Sequence, residues 1–352
     1  MSASPLGIGV LGAGYWGPNL IRNVAACPEA RLAAVCDARP EALEKQRAQY
    51  PDTRFYSRFE EMLADPGVEA VLVATPARAH AEHALAVLRS GRHAFVEKPL
   101  ALSSAAAREI ILEARRRRRI LMVGHTFLHN PIVAKVRELV ASGALGDLLY
   151  LYSQRLNLGQ VRHDVDVLWN LAPHDISIAG DLLGARPLRV QATGLSYIRR
   201  AQRIADVAFF SLHYDHGVVA HGHVSWLDPL KVRRHVLVGS RKMLVYDDMN
   251  RDAPITIYDK SVEKDFRQPF HSFAEFTTRI RAGNIERLDV PLKEEPLAAE
   301  IRHFVQSARS GHPPRTDGPH GMEVVLILEA LSRSMASDGG EVPLDYSAIP
   351  VP

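Results

Sequence analysis

The sequence predicts an α/β chain in two parts: a parallel sheet wound with helices on both faces, then an α+β domain with an open, mainly antiparallel sheet. Three observations predict it. Short apolar runs alternate with helical patterns up to about residue 124, a glycine-spaced turn closes the first of these runs, and long β-type runs joined by tight turns take over after Asn130-Pro131. At 352 residues the chain exceeds the roughly 250 to 300 at which one hydrophobic core stops growing. Two domains are therefore expected, 1–124 and 125–352, with the last helices packing back on the first.

In the first domain the expected strands are Leu6 to Leu11, Leu32 to Cys36, Ala70 to Ala74, His93 to Val96 and Ile120 to Val123. Strands separated by helices are βαβ units, and their right-handed crossovers make a parallel sheet whose ligands bind at the carboxyl ends of the strands. The first strand runs into Gly12-Ala13-Gly14-Tyr15-Trp16-Gly17 and then a helix start at Pro18. Gly12 suits a tight turn, Gly14 lets backbone approach a pyrophosphate, and Gly17 lets helix and strand pack closely. The helix N-terminus then aims N–H groups at phosphate.

A glycine pattern of this kind is by itself as often structural as functional. Here the second strand ends in Asp37, 20 residues after Gly17, where a carboxylate can accept both ribose hydroxyls of an adenosine. This predicts a Rossmann dinucleotide-binding domain, with Tyr15 and Trp16 in the turn among the cofactor contacts. Asp37 favours NAD, by about tenfold or more, through repulsion of a 2′-phosphate. Arg39 pulls the other way, since it can pair with that phosphate, and keeps NADP as the alternative. Thr75-Pro76 and Glu97-Lys98-Pro99 fall on the same edge.

After Asn130-Pro131, with Asn as cap and Pro in the first turn, a helix is expected over Ile132 to Ser142. The β-type runs follow: Leu148 to Leu158, Leu188 to Ser196, Val207 to Tyr214, Val218 to Trp226, Arg234 to Val238, Lys242 to Tyr246 and Ile255 to Tyr258. His216-Gly217 and Gly239-Ser240 are hairpin signals, which make this sheet largely antiparallel. One helix interrupts it near Leu171 to Leu183, and Pro296 to Ser310 and Gly318 to Ser334 supply two more.

Composition narrows the function. Hydrophobic residues are 47% and charged residues 24%, ordinary for a globular protein, and a net charge of +3 argues against a nucleic-acid binder. The run Arg115 to Arg119 is read as a helix end, where cations favour dipole and solvent. Cys27 and Cys36 suit neither a metal nor a redox pair. With no signal-like N-terminus and no long apolar stretch, a cytoplasmic protein without membrane contact is expected.

Three groups can do chemistry. Lys98 follows a buried strand and precedes a proline that restricts its backbone to an extended form. Partly desolvated beside a cationic nicotinamide, it would lose its proton more readily and serve in proton transfer, against the alternative of a solvated lysine at a strand end. Asn170 and His174 stand at i and i+4, Asn170 as an expected helix cap and His174 kept neutral by the helix dipole, or else a core histidine bonded to a carbonyl. His221 and His223 share a strand face, with His213, His216 and His235 nearby, but no carboxylate stands at ligand spacing, so no metal is assigned. Trp169, Trp226 and Tyr214 either stack on a sugar or fill the packing, the second being the commoner role.

These motifs stand in one order: the Gly12 to Gly17 turn, Ala74-Thr75-Pro76-Ala77-Arg78-Ala79-His80, Glu97-Lys98-Pro99, Val123-Gly124-His125, Asn170 to His174, and a tail from Pro314 to Gly321 followed by Leu328-Glu329-Ala330 and Ser334. In that order they resemble the Gfo/Idh/MocA oxidoreductases over nearly the whole chain. The resemblance implies hydride transfer between nicotinamide and a hydroxyl or keto carbon of a sugar, cyclitol or nucleotide sugar. It makes Lys98 the family lysine, His174 the family acid/base and His80 a cofactor-edge residue, and it implies a homodimer or homotetramer built through the second sheet.

The family pattern has Asp where this chain has Asn170. That change removes a negative charge that would stabilise imidazolium, and it shifts proton transfer toward Lys98. The stretches Gln154 to Gly159 and Val167 to Asp175 resemble a branch acting at the 3-position of nucleotide sugars and deoxysugars. Arg155, Asn157 and Arg162, on the strand and loop before His174, are with Trp169, Asn170 and His174 the substrate candidates, the arginines suiting a phosphate or carboxylate. Alternatives are an inositol-type cyclitol dehydrogenase, an enzyme that cleaves glycosides through transient oxidation by NAD, and, least favoured because Lys98 and His174 are both present, a dinucleotide-binding regulator.

Overall fold

The structure is a computed structural model that describes residues 4–159, 161–162, 164–262 and 280–351. Its elements begin β1 (Leu6–Leu11), α1 (Gly17–Ala26), β2 (Ala30–Cys36), α2 (Pro40–Arg47), β3 (Arg54–Tyr56), α3 (Phe59–Ala64), β4 (Ala70–Val73), α4 (His80–Arg89), β5 (His93–Glu97), α5 (Ser104–Arg117) and β6 (Leu121–Gly124). Then come α6 (Pro131–Ala141), β7 (Leu148–Leu156), α7 (Val167–Leu183), β8 (Arg189–Leu195), β9 (Val207–His213), β10 (Val219–Ser225), β11 (Val232–Gly239), β12 (Met243–Asp247), β13 (Ile255–Val262) and β14 (Ile280–Leu288). The tail forms α8 (Pro296–Ser310), α9 (Gly318–Ala336) and β15 (Val342–Pro343).

The chain divides into two compact units. Unit 1 runs to Asn130 and includes residues 294–329 and the segment from Asp345; unit 2 is Pro131–Lys293 with Ala330–Leu344. The position 124/125 read from sequence thus lies inside unit 1, because the 3-10 turn Thr126–His129 packs against α8.

In unit 1 six parallel strands run in the order β3-β2-β1-β4-β5-β6. The order reverses between β1 and β4, the switch point at which open α/β sheets bind ligands. Both faces are covered, so the strands read as apolar runs without alternation: Ile8, Val10, Leu72 and Phe95 are inaccessible. Leu297, Ile301, Phe304 and Val305, one stripe of α8, complete the same core. Each such side chain stabilises the fold by about 1.5 to 3 kcal/mol on burial. Edge strand β3 has three residues and was invisible to periodicity for that reason.

The five arginines close α5. Arg116 and Arg117 reach back to Glu113, Arg118 turns left-handed at φ 52° as the C-cap, and Arg115 donates to the carbonyls of Pro350 and Val351.

Among the described residues unit 2 forms a nine-stranded sheet, β14-β13-β12-β11-β7-β10-β9-β8-β15, antiparallel except where β10 pairs with β7. His216 and Gly217 both have positive φ, the backbone a tight β9–β10 hairpin requires. Helix α7 packs on β7, β9 and β10, covering one face. On the other face Tyr150, Tyr152, Leu195 and Phe209 remain 37–46% exposed. Two of them, Tyr152 and Phe209, line a depression of about 470 Å³ together with Gln154, Gln191, Ser211, His221 and His223. No helix among the described residues is long and apolar enough to cross a membrane.

Candidate active site

The switch point of unit 1 is shaped by its glycines. Gly12 has φ +100°, and a Cβ there would lie 2.7 Å from the Ala74 carbonyl oxygen. A Cβ on Gly17 would lie 2.0 Å from the Gly12 carbonyl oxygen, so α1 can begin only where it does if residue 17 has none. Beside Gly14, by contrast, a Cβ would meet only the Arg39 guanidinium, at 3.3 Å. Helix α1 carries Pro18 in its first turn, and Trp16 at the cap position makes no side-chain cap bond. An open backbone cradle in front of uncapped helix N–H groups fits a pyrophosphate.

Asp37 lies at the end of β2 as expected, but its carboxylate is already engaged. It accepts from Ala13 N at 2.8 Å, from Arg39 N at 2.9 Å and from Arg39 Nε and Nη2 at 3.1 Å each. Burial pushes this carboxyl up, but the Arg39 guanidinium and the two backbone N–H groups outweigh it and hold it below its ordinary value. Asp37 is 8% exposed, while the Arg39 side chain is 57% exposed. The arginine is the group presented outward.

The β5 end carries Glu97 and Lys98. Glu97 is buried, and its Oε1 accepts from Trp16 Nε1 at 2.7 Å, so the turn after β1 and the end of β5 are tied together. Tyr15, beside Trp16, is 91% exposed. Thr75 is half-buried and Pro76 exposed at the β4 end. His80 is 2% exposed, with Nδ1 2.7 Å from the Pro99 carbonyl oxygen and Nε2 2.8 Å from that of Thr75. It braces the Lys98-Pro99 segment and does not open to a ligand. Lys98 is half-buried, and its charge bears on Glu97, His80 and His125.

In unit 2 the helix carrying His174 starts earlier than expected. Asp166 is the N-cap, its carboxylate accepting from Trp169 N at 2.9 Å, and Asn170 lies inside the helix; the expectation that Asn170 caps it is corrected. His174 is therefore the eighth helical residue, half-buried, and lies beyond the first turn in which the helix dipole acts. Asn170 Oδ1 accepts from Trp226 Nε1 at 3.2 Å. Trp169 Nε1 donates to Ser332 at 2.9 Å, while Trp226 and Tyr214 are buried, which places all three in the packing of unit 2.

Arg155 is 3% exposed and faces α7, not solvent. Its Nε donates to Asp175 Oδ2 at 2.8 Å, and His235 Nε2 lies 3.2 Å from Asp175 Oδ1. Burial raises the Asp175 carboxyl, but Arg155 and His235 overcome this and hold it at about 2. Strand β7 and the helix that carries His174 are locked by this pair, whose pairing carried no sequence signal because β7 and α7 meet only in the fold. Asn157 is half-buried, and Arg162, half-exposed, pairs with Asp164 at 2.9 Å. The clustered histidines separate: His221 meets Ser211, His223 stacks on Phe209 at 4.2 Å, and His235 faces Asp175. Among the described residues no group of three His, Cys, Asp or Glu is placed to hold a metal ion.

A doubly wound sheet with this cradle at its switch point defines the class of dinucleotide-binding proteins. Residues 6–125 match the family model described as the oxidoreductase family with NAD-binding Rossmann fold, and residues 133–245 match the GFO/IDH/MocA C-terminal domain. The chain is 24% identical to myo-inositol 2-dehydrogenase of Thermotoga maritima over 93% of this chain and 96% of that one. It is 27% identical to UDP-N-acetylglucosamine 3-dehydrogenase of Acidithiobacillus ferrooxidans over 90% and 93%. The solved structure of the latter enzyme superposes with a TM-score of 0.79, covering 95% of this chain and 99% of that one. Levoglucosan dehydrogenase, solved with NADH, shares the fold at a TM-score of 0.81 and 19% identity, covering 97% and 100%. The chain belongs to the Gfo/Idh/MocA oxidoreductase family, and its first unit is an NAD-binding Rossmann fold.

The buried pair yields a stability prediction. Asp175→Asn removes the buried negative charge that faces Arg155 and His235, and destabilises the protein at pH 7 by about 3 to 5 kcal/mol in denaturant unfolding. The folded carboxyl titrates at about 2, below its unfolded value of 3.8, so its contribution is complete above the unfolded value and disappears as pH falls through about 2. The difference between variant and wild type narrows over that window.

Proposed function

We propose that this protein is a cytoplasmic NAD(P)-dependent dehydrogenase or ketoreductase acting on a hydroxyl or keto carbon of a sugar or nucleotide sugar, at C3 in the narrower reading. The observation that carries the proposal is the meeting of the glycine cradle, Trp16, Glu97 and Lys98 on one edge of the parallel sheet, tied by the Trp16–Glu97 bond. The similarity to a UDP-N-acetylglucosamine 3-dehydrogenase across both units supports the substrate class. A myo-inositol 2-dehydrogenase among the relatives keeps a cyclitol as the second reading.

Nicotinamide, when bound, supplies the hydride acceptor or donor. The backbone of Gly12 to Gly17 and the α1 N-terminus hold the pyrophosphate, with Tyr15, Trp16, Thr75 and Pro76 around them. Lys98 takes the hydroxyl proton in oxidation and returns one to the alkoxide in reduction. His174 is the second acid/base, and Asn170 hydrogen-bonds the reacting oxygen. Asn157 and Arg162 contact the substrate, while Arg155 positions α7 from within the core. The open face of the second sheet is covered by a second copy of the chain, which buries Tyr150, Tyr152, Leu195 and Phe209.

Absorbance at 340 nm, read with NAD⁺ or NADP⁺ against a panel of UDP-sugars, free sugars and inositols, tests the activity; no change with any of them sinks the proposal, and a cleaved glycoside with recycled cofactor redirects it. With an active substrate, Lys98→Ala lowers kcat/KM about 10²- to 10⁴-fold. Because Arg39 covers Asp37, NADPH binds within about tenfold of NADH in fluorescence titration, and Arg39→Ala weakens NADPH alone by about a further tenfold. Phe209→Glu halves the mass measured by light scattering if a second copy covers that face, and an unchanged mass excludes it.

A further inference from the structure

Two carboxyl groups lie buried together in unit 1, and the chemistry above leaves one of them without a role. Glu97 follows Phe95 by two residues on β5, on the same side of the strand, and Glu300 precedes Phe304 by one helical turn on α8. The rings of Phe95 and Phe304 meet edge-on at 5.7 Å. The two carboxyls therefore form the next layer, at the edge where the strands end.

Glu300 is 0% exposed; its Oε2 accepts from the Thr126 hydroxyl at 2.7 Å, and its Oε1 has no hydrogen-bond partner. Glu97 is 9% exposed, accepts from Trp16 Nε1, and lies against Gly124, where a Cβ would stand 3.1 Å from Oε2. An ionised Glu300 would place charge on an oxygen that no donor reaches, beside a second carboxylate, so the neutral acid is the form that fits.

The surroundings act in the same direction. Burial, with Glu97 beside it, pushes Glu300 well above the ordinary carboxylate range. Burial lifts Glu97 to about 7, against the pull of Lys98 and Trp16. The charge of Lys98 also bears on His80 and His125, both buried and disfavoured as cations by that burial, with His320 and His129 facing His125.

We propose that Glu97 and Glu300 work as a carboxyl pair in which Glu300 stays the neutral acid and so sets no charge beside Glu97, while Glu97 is the member that gains and loses a proton against Lys98. The pair deepens the proposed function, since it rests on Lys98 acting at the nicotinamide edge. Glu300 acts on Glu97 by remaining uncharged, and Glu97 is the group whose charge Lys98 senses.

Thermal unfolding of the full chain without cofactor, from about pH 5 to about pH 8, tests Glu300 independently of any activity. The folded acid keeps its proton where the unfolded one loses it, so wild-type stability falls as pH rises above the unfolded carboxylate value; glutamine has no proton to lose. Glu300→Gln therefore starts near the wild-type Tm at the acid end and stands above it by roughly 2 to 4 °C or more at the alkaline end, while Glu300→Ala, without the Thr126 bond, lies below Glu300→Gln throughout. A gap that does not change with pH, or a Gln variant as damaged as Ala, overturns the inference.

Calorimetry of NAD⁺ binding at about pH 7, in buffers of different ionisation heat, tests Glu97. Wild type and Glu300→Gln release the same fraction of a proton and Glu97→Gln releases less, keeping only what Lys98 gives up; equal release by all three overturns the role of Glu97. A wild type that binds no dinucleotide refutes the proposed function, and the unfolding series still decides the carboxyl pair.

Discussion

Parallel pairing of β1 with β2 on one side and β4 on the other is the constraint on which the candidate site depends. It sends the chain away in opposite directions at the switch point, and it brings the ends of β1, β2, β4, β5 and β6 to one edge. The glycine turn, Asp37, Thr75, Glu97 and His125 are far apart in sequence and share that edge for no other reason. The backbone around Gly12 then sets how close α1 may come, since Gly17 packs directly on the Gly12 carbonyl.

Electrostatics at this edge follow from burial as much as from residue type. Asp37 is a carboxylate at the position where ribose hydroxyls are read, yet Arg39 lies over it, so the outward field there is that of a guanidinium. Glu97 would be an ordinary acid on a surface, and buried beneath Trp16 it titrates near neutrality. In unit 2 burial pushes the Asp175 carboxyl up in the same way, but Arg155 and His235 face it and outweigh burial, so the charged form is the one retained. Whether a buried carboxyl keeps or loses its proton thus depends on which neighbours the fold brings to it.

Much of this was legible in the chain. The five longer strands of the first sheet, the glycine turn and the Lys98 edge could be read because strand periodicity and glycine spacing are local signals. The hairpin at His216-Gly217 was legible for the same reason, both residues taking the positive φ that such turns demand. What escaped were β3 and β15, too short for a period, and β14, whose polar run Ile280–Leu288 lacks apolar alternation. The start of α7 also escaped, since Asp166 and Asn170 are both good caps and only the bond from Trp169 N chooses between them.

The sequence by itself determined the class of fold, the dinucleotide turn and the lysine at the strand end, because each depends on residues within a few positions of one another. Only the tertiary structure decided which charges are available. It buried Arg155 against Asp175, laid Arg39 over Asp37, closed His80 between two carbonyls, and set Glu300 from α8 one turn before Phe304 in the layer of Glu97. Each of these depends on side chains brought together by packing from distant parts of the chain or by the local turn of the backbone, and on the desolvation that packing imposes, which no local pattern encodes.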